Sequence, residues 1–138
     1  NSGSTLNYTY KSTRISLDEM QGSQKCDSCY GFKMRYTSPA NNEDVMPTIS
    51  AFLQLMPEGF SSEPYRQTDA CIYSVVEGYG HTIVDDVKLA WGPKDAFVIP
   101  TWAKHRHFVE SNDAILFSFS DRGVQEKLGL WREQRPDD

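Results

Sequence analysis

His105 and His107 are the residues of this chain best suited to chemistry, because imidazole carries protons and binds metals near neutral pH. They stand two apart in HRHFV, as Tyr65 and Gln67 do in PYRQ. Side chains two apart on a strand share a face. If both segments are strands of one barrel, Tyr65, Gln67, His105 and His107 form one inward set. Two readings of that set stay open. It can hold a metal weakly, since two imidazoles without a carboxylate or a third histidine make a poor site. It can equally be a hydrogen-bonded polar plug in an otherwise apolar interior. His81, just after Gly80, is either a third inward imidazole or a surface residue. Arg66, Lys104 and Arg106 sit one residue off the inward set, so alternation sends them to the opposite face. There they are a carboxylate-binding cluster or a solvated surface.

Other chemistry-bearing features are weaker. Cys26-Asp27-Ser28-Cys29 is a single CxxC, half of a zinc site or a redox pair, and only Cys71 is left to complete it. Incidentally close loop cysteines are the plainer reading. Trp91, Trp102 and Trp131 read as packing anchors. Tyr73, Phe97, Phe108, Phe117 and Phe119 fall at strand spacing and read as filling, with Phe117 expected to line the interior pocket. No phosphate loop, nucleophile elbow or Ser-His-Asp order is present.

The elements that must position these residues are short strands. Thr48–Met56, Thr68–Val76, His81–Val84, Val87–Trp91, Ala96–Ile99, His105–Val109 and Ala114–Ser118 are rich in β-formers. Turns at Pro57-Glu58-Gly59, Glu77–Gly80, Asp85-Asp86, Gly92-Pro93 and Ser111–Asp113 separate them. Lys33–Thr37 reads as an edge strand, 38–44 as a polar turn region, and Ser12–Met20 as a short helix. Asp121–Leu130 reads as a helix capped by Ser120, with Gly129 near its end. The expected class is all-β, a jelly-roll barrel with short N- and C-terminal helices. Residues 1–45 read as an arm and helix packed on the barrel, 46–120 as the barrel, and 121–138 as a helix and tail.

A length of 138 residues suits one domain with one core. No apolar run is long enough for a membrane-spanning helix, and no signal-peptide pattern opens the chain. The net charge of −5 disfavours nucleic acid and anionic membranes as partners. Three cysteines do not make a disulfide framework, so a cytoplasmic location is expected. The chain opens at Asn1 rather than methionine, which is read as a piece of a longer polypeptide.

Several longer segments carry a family resemblance. They are MRYTSPA at 34–40, MPTISAFLQLMPEGF at 46–60, PYRQTDACIYSVVEGYG at 64–80, WGPKDAFVIPTW at 91–102 and LFSFSDRGVQEKLGLWREQ at 116–134. With them the chain resembles the C-terminal half of gentisate 1,2-dioxygenase, a two-cupin, iron(II)-dependent enzyme that opens an aromatic ring. The resemblance implies a cupin fold, the double-stranded β-helix. It also implies a dihydroxylated aromatic acid as substrate of the family, and a homodimer or higher oligomer. In the family the iron is held by three histidines of the N-terminal cupin, while the C-terminal cupin has a degenerate metal site and helps form the oligomer. Aligned from Gly59, the two histidine positions of the first cupin motif hold Tyr65 and Gln67, and the carboxylate position holds Cys71. The second motif places His105 at the third histidine and Trp102 at the small-residue turn, where it would cap the barrel mouth. The resemblance therefore implies Fe(II) if any metal, and more readily none in this domain. Two functions follow as expectations: a dioxygenase half with little activity alone, or a non-catalytic cupin for oligomerisation or small-molecule binding. Whether the chain is itself an enzyme stays open.

Overall fold

The computed structural model describes residues 15–22, 25–36 and 49–136. The boundary read at 45–46, the turn at 38–44, and the outer ends of the first helix, the edge strand and the first long strand (12–14, 37 and 48) lie outside those residues. Helix α1 covers residues 15–22. The strands are β1 (Phe32–Arg35), β2 (Ser50–Met56), β3 (Arg66–Gln67), β4 (Cys71–Glu77), β5 (Gly80–Val84), β6 (Val87–Trp91), β7 (Ala96–Ile99), β8 (His105–Val109), β9 (Ala114–Ser120) and β10 (Glu133–Gln134). Helix α2 (Arg122–Lys127) lies between β9 and β10. Strands dominate because Val, Ile, Phe and Tyr recur with period two between glycine and aspartate turns.

One sheet has the order β1-β2-β9-β4-β7, a second β6-β5-β8, and β10 pairs with β3. All pairings are antiparallel. The main core packs Met56, Tyr73, Val75, Trp91, Ile99 and Leu116 between the sheets. A second cluster, with Leu17, Phe32, Leu53, Leu55 and Ile115, lies under α1. This explains why β2 is buried on both faces, unlike a strand with one solvated side. Among the described residues no helix is long and apolar enough to cross a membrane.

The sequence reading differs from this structure in three informative places. The strand read as Thr68–Val76 begins at Cys71, and the separate two-residue β3 precedes it. Two residues give no periodicity, so β3 and its partner β10 are visible only through their pairing. The C-terminal helix is shorter than Asp121–Leu130. Ser120 Oγ does accept the Arg122 N–H at 3.2 Å, while Ser50 Oγ, far away in sequence, accepts the Gly123 N–H at 2.8 Å. Gly129, at φ 72°, ends the turn after α2. The edge strand lies at Phe32–Arg35 and occupies the edge of the large sheet.

Candidate functional site

Backbone pairing brings the four candidate residues together. Tyr65 forms an antiparallel bridge to His105, with N···O distances of 3.1 and 3.0 Å. Alternation on β8 then turns both His105 and His107 inward, where they are 1% and 0% exposed. Tyr65 and Gln67 are likewise buried. The Tyr65 ring lies 4.2 Å from His105 and 6.4 Å from His107, centroid to centroid. The two imidazoles are 5.4 Å apart. Tyr73 from β4 closes the group, 5.4 Å from His107.

Hydrogen bonds set the chemical character of each group. His105 Nδ1 lies 3.1 Å from the Ala103 carbonyl, so Nδ1 carries the proton and Nε2 presents a lone pair. Burial depresses the His105 pKa to about 4, against a smaller opposing effect from that carbonyl. His107 is held neutral more strongly, by burial first and by His105 and Lys33 next. Its Nδ1 lies 2.8 Å from Thr82 Oγ1, which also accepts the Trp91 indole N–H at 2.9 Å. The buried Thr82 hydroxyl must place its own proton, and His107 Nδ1 is the acceptor in reach. His107 Nε2 is therefore an N–H donor.

The remaining groups are also neutral. Burial raises the Tyr65 pKa well above the ordinary phenol range, with the Tyr73 phenol adding to it. Tyr73 is raised as well, again by burial first. The Cys71 thiol, at the position of the expected carboxylate, is pushed up to about 12 by burial and then by Asp69. It receives the Gln67 Nε2–H at 2.9 Å and points its own proton toward Asp69 Oδ2 at 3.5 Å.

Seven buried polar atoms of this region have no hydrogen-bond partner of good geometry among the described residues. The Tyr65 and Tyr73 hydroxyls and His107 Nε2–H are donors, and His105 Nε2, Gln67 Oε1 and Gln54 Oε1 are acceptors. The Ser118 hydroxyl is either. Lys33 borders the set on the inward face of β1, opposite Gln54. Its ammonium lies 4.8 Å from the Tyr30 ring centroid and 4.6 Å from that of Phe52. Burial lowers its pKa. The sequence reading passed over Lys33. The signal was Phe32 and Met34 on either side, both packing toward α1, which leaves Lys33 no face but the inner one.

These donors do not fit the ferrous ion that the resemblance implies. A facial iron site is built from imidazole and carboxylate donors. His105 Nε2 is one, but His107 presents N–H, both phenols and the thiol hold their protons, and Gln67 offers a neutral amide oxygen. No group of three or more His, Cys, Asp or Glu suited to a metal occurs among the described residues.

Other expected site residues lie elsewhere. Phe117 does not line the interior, because odd positions of β9 face outward with Ile115, and Phe117 packs beside Tyr36 on the α1 side. Trp102 is 39% exposed, with the outward Arg66 over its ring at 5.4 Å, rather than capping the interior. His81 is on the outer face, stacked on Phe108 and 3.0 Å from Glu110. Cys26 and Cys29 are free thiols flanking Asp27, whose carboxylate caps the turn by accepting the N–H groups of Cys29 and Tyr30. Burial raises both thiol pKa values, opposite to the shift of a redox-active pair.

Comparison with known proteins adds the lineage. No family model matches the chain. It is 46% identical over 130 residues to gentisate 1,2 dioxygenase 1 of Aquipseudomonas alcaligenes, covering 94% of this chain and 37% of that protein. It is 37% identical over 130 residues to 5-aminosalicylate 1,2-dioxygenase of Comamonas sp, covering 94% of this chain and 35% of that protein. Among solved structures, salicylate 1,2-dioxygenase of Pseudoaminobacter salicylatoxidans superposes with a TM-score of 0.84 at 24% identity, over 93% of this chain and 36% of that one. A cupin-2 domain protein of Rhodospirillum rubrum has a TM-score of 0.55 at 19% identity, over 64% of this chain and 57% of its own. The chain thus spans just over a third of the length of the curated relatives it matches. With its two facing sheets and this kinship, it is a cupin domain related to the gentisate 1,2-dioxygenases.

Proposed function

We propose that this chain is the cupin half of a ring-cleaving dioxygenase that does not itself carry the reaction. The observation behind this reading is the His105 and His107 pair, of which only His105 turns a lone pair into the interior. The whole polypeptide, on this view, acts on a dihydroxylated aromatic acid such as gentisate, with iron held outside this domain. The domain contributes assembly. Ile72 and Val98 are cross-strand partners on the outer face of β4 and β7, 39% and 53% exposed, and suit a contact between subunits. Three free cysteines agree with a cytoplasmic setting.

Oxygen uptake by the isolated chain on gentisate with added ferrous iron tests this. No turnover is expected, and His105→Ala should change nothing. Robust turnover lost in His105→Ala would overturn the reading. Light scattering coupled to gel filtration is expected to give a dimer or larger, reduced by Val98→Lys.

A second reading rests on the unpartnered interior atoms. Beside the two phenols, which face each other, one donor and three acceptors complement a small uncharged guest bearing hydroxyl groups. Such a guest would raise the melting temperature of the chain, and Tyr73→Phe would diminish the rise.

A further inference from the structure

The outer side of the same strands carries a cluster of cations that the interior does not use. Arg66 and Arg106 alternate with the inward Gln67, His105 and His107, and so face outward. The Tyr65–His105 bridge sets Arg66 opposite Lys104 and Pro64 opposite Arg106. Gln134 of β10 is the partner of Arg66 on its other side. Pro64, Arg66, Lys104, Gln134, Arg135 and Pro136 line a cleft of about 260 Å³. Pro64 and Lys104 are shared with an adjoining cleft of about 360 Å³, to which Arg106, Asp85 and Asp86 contribute.

Like charges opposite each other on neighbouring strands repel. Here the repulsion stands in a chain of net charge −5, where acidic partners are plentiful. Yet the ion pairs of the described residues do not include Arg66, Lys104 or Arg106. Asp85 accepts the backbone N–H of Lys104 at 3.1 Å. Arg135 is engaged with Asp27 at 2.8 Å.

The two guanidinium groups are also held in place. Arg66 lies over Trp102, which itself adopts φ 60°, a left-handed conformation that a bulky residue takes only when its surroundings impose it. Arg106 lies 4.8 Å over Phe108, and its Nε is buried without an acceptor.

We propose that this cleft binds a small oxyanion, a carboxylate or phosphate, between Arg66 and Lys104 with Arg106 at its margin. A stacked guanidinium offers its fork to two oxygens of the anion at little entropic cost, and the ammonium adds a point charge. The anion also relieves the cross-strand repulsion. The proposal does not depend on what the interior binds.

Titration of the whole chain with sodium phosphate and, separately, sodium benzoate tests it by nitrogen-edited NMR of the Arg66 guanidinium and Trp102 indole signals. Saturable shifts are expected with at least one anion. The affinity should fall about tenfold in Arg66→Gln and in Lys104→Gln, and should weaken as salt is raised. Benzoate alone would identify an aromatic carboxylate as the ligand class, and phosphate alone a phosphate. Lys104 lies outside the Arg66–Trp102 stack, so Lys104→Gln separates loss of charge from loss of local structure. Absence of shifts with both anions up to about 50 mM, or curves unchanged in Lys104→Gln, would overturn it.

Discussion

The Thr82 hydroxyl and the His107 ring meet at 2.8 Å deep between the two sheets, with the Trp91 indole donating to the same oxygen at 2.9 Å. This relay runs from β6 through β5 to β8 and places the His107 proton on Nε2. A neutral histidine in that tautomer presents an N–H to the interior.

Thr82→Val is expected to remove the donor to His107 Nδ1 and the acceptor of the Trp91 N–H at once. It should destabilise the fold by about 1–3 kcal/mol, the usual cost of stranding a buried polar group. Urea unfolding measures the loss. Imidazole nitrogen shifts should show His107 Nδ1 moving to the position of a lone pair without a hydrogen bond, whereas an unchanged Nδ1 shift would refute the relay.

Stability should fall as the solution is made acid through the histidine range. The His105 pKa is lowered from 6.5 to about 4, so the unfolded chain binds the extra proton first. Stabilisation from the neutral ring is complete above pH 6.5 and is lost as the pH falls toward 4, by roughly 3 kcal/mol. His107 steepens the same trend, because its pKa is lowered too. Unfolding free energies across this window should decline less steeply in His105→Gln than in the parent chain. Parallel slopes would count against a buried neutral His105.

Tyr65 and Tyr73 should resist ionisation. The chain has seven tyrosines, and burial raises both of these above the ordinary phenol range. A spectrophotometric titration should show their phenolate absorbance appearing only with alkaline unfolding. Reversible titration of the full complement in the folded chain would contradict the interior described above.

Replacing Tyr65 and Gln67 together by histidine should add imidazole lone pairs beside His105 Nε2. Cobalt(II) is expected to give visible ligand-field bands with the double variant and none with the parent chain. Bands of equal strength from both proteins would mean that the parent interior already suffices for a metal, and bands from neither would mean that the added imidazoles do not converge on His105 Nε2.

Much of the fold was legible in the residues themselves. Period-two patterns in His105–Val109, Val87–Trp91 and Ala96–Ile99 place these strands where they are found. Alternation likewise separates His105 and His107 from Arg106, since a strand has only two faces. Phe117 shows the limit of this reasoning. Spacing established that it shares a face with Phe119, but not which face, because α1 covers one side of the sheet and makes both sides apolar.

The sequence by itself determined the strand class and the opposite facing of the imidazoles and the arginines. Only tertiary structure decided the chemistry of what remains. The protonation of His107 depends on Thr82, 25 residues away, and that of Cys71 and the phenols on burial created by both sheets. Proton positions and dielectric are set by neighbours in space, and no local pattern in the chain encodes those distances.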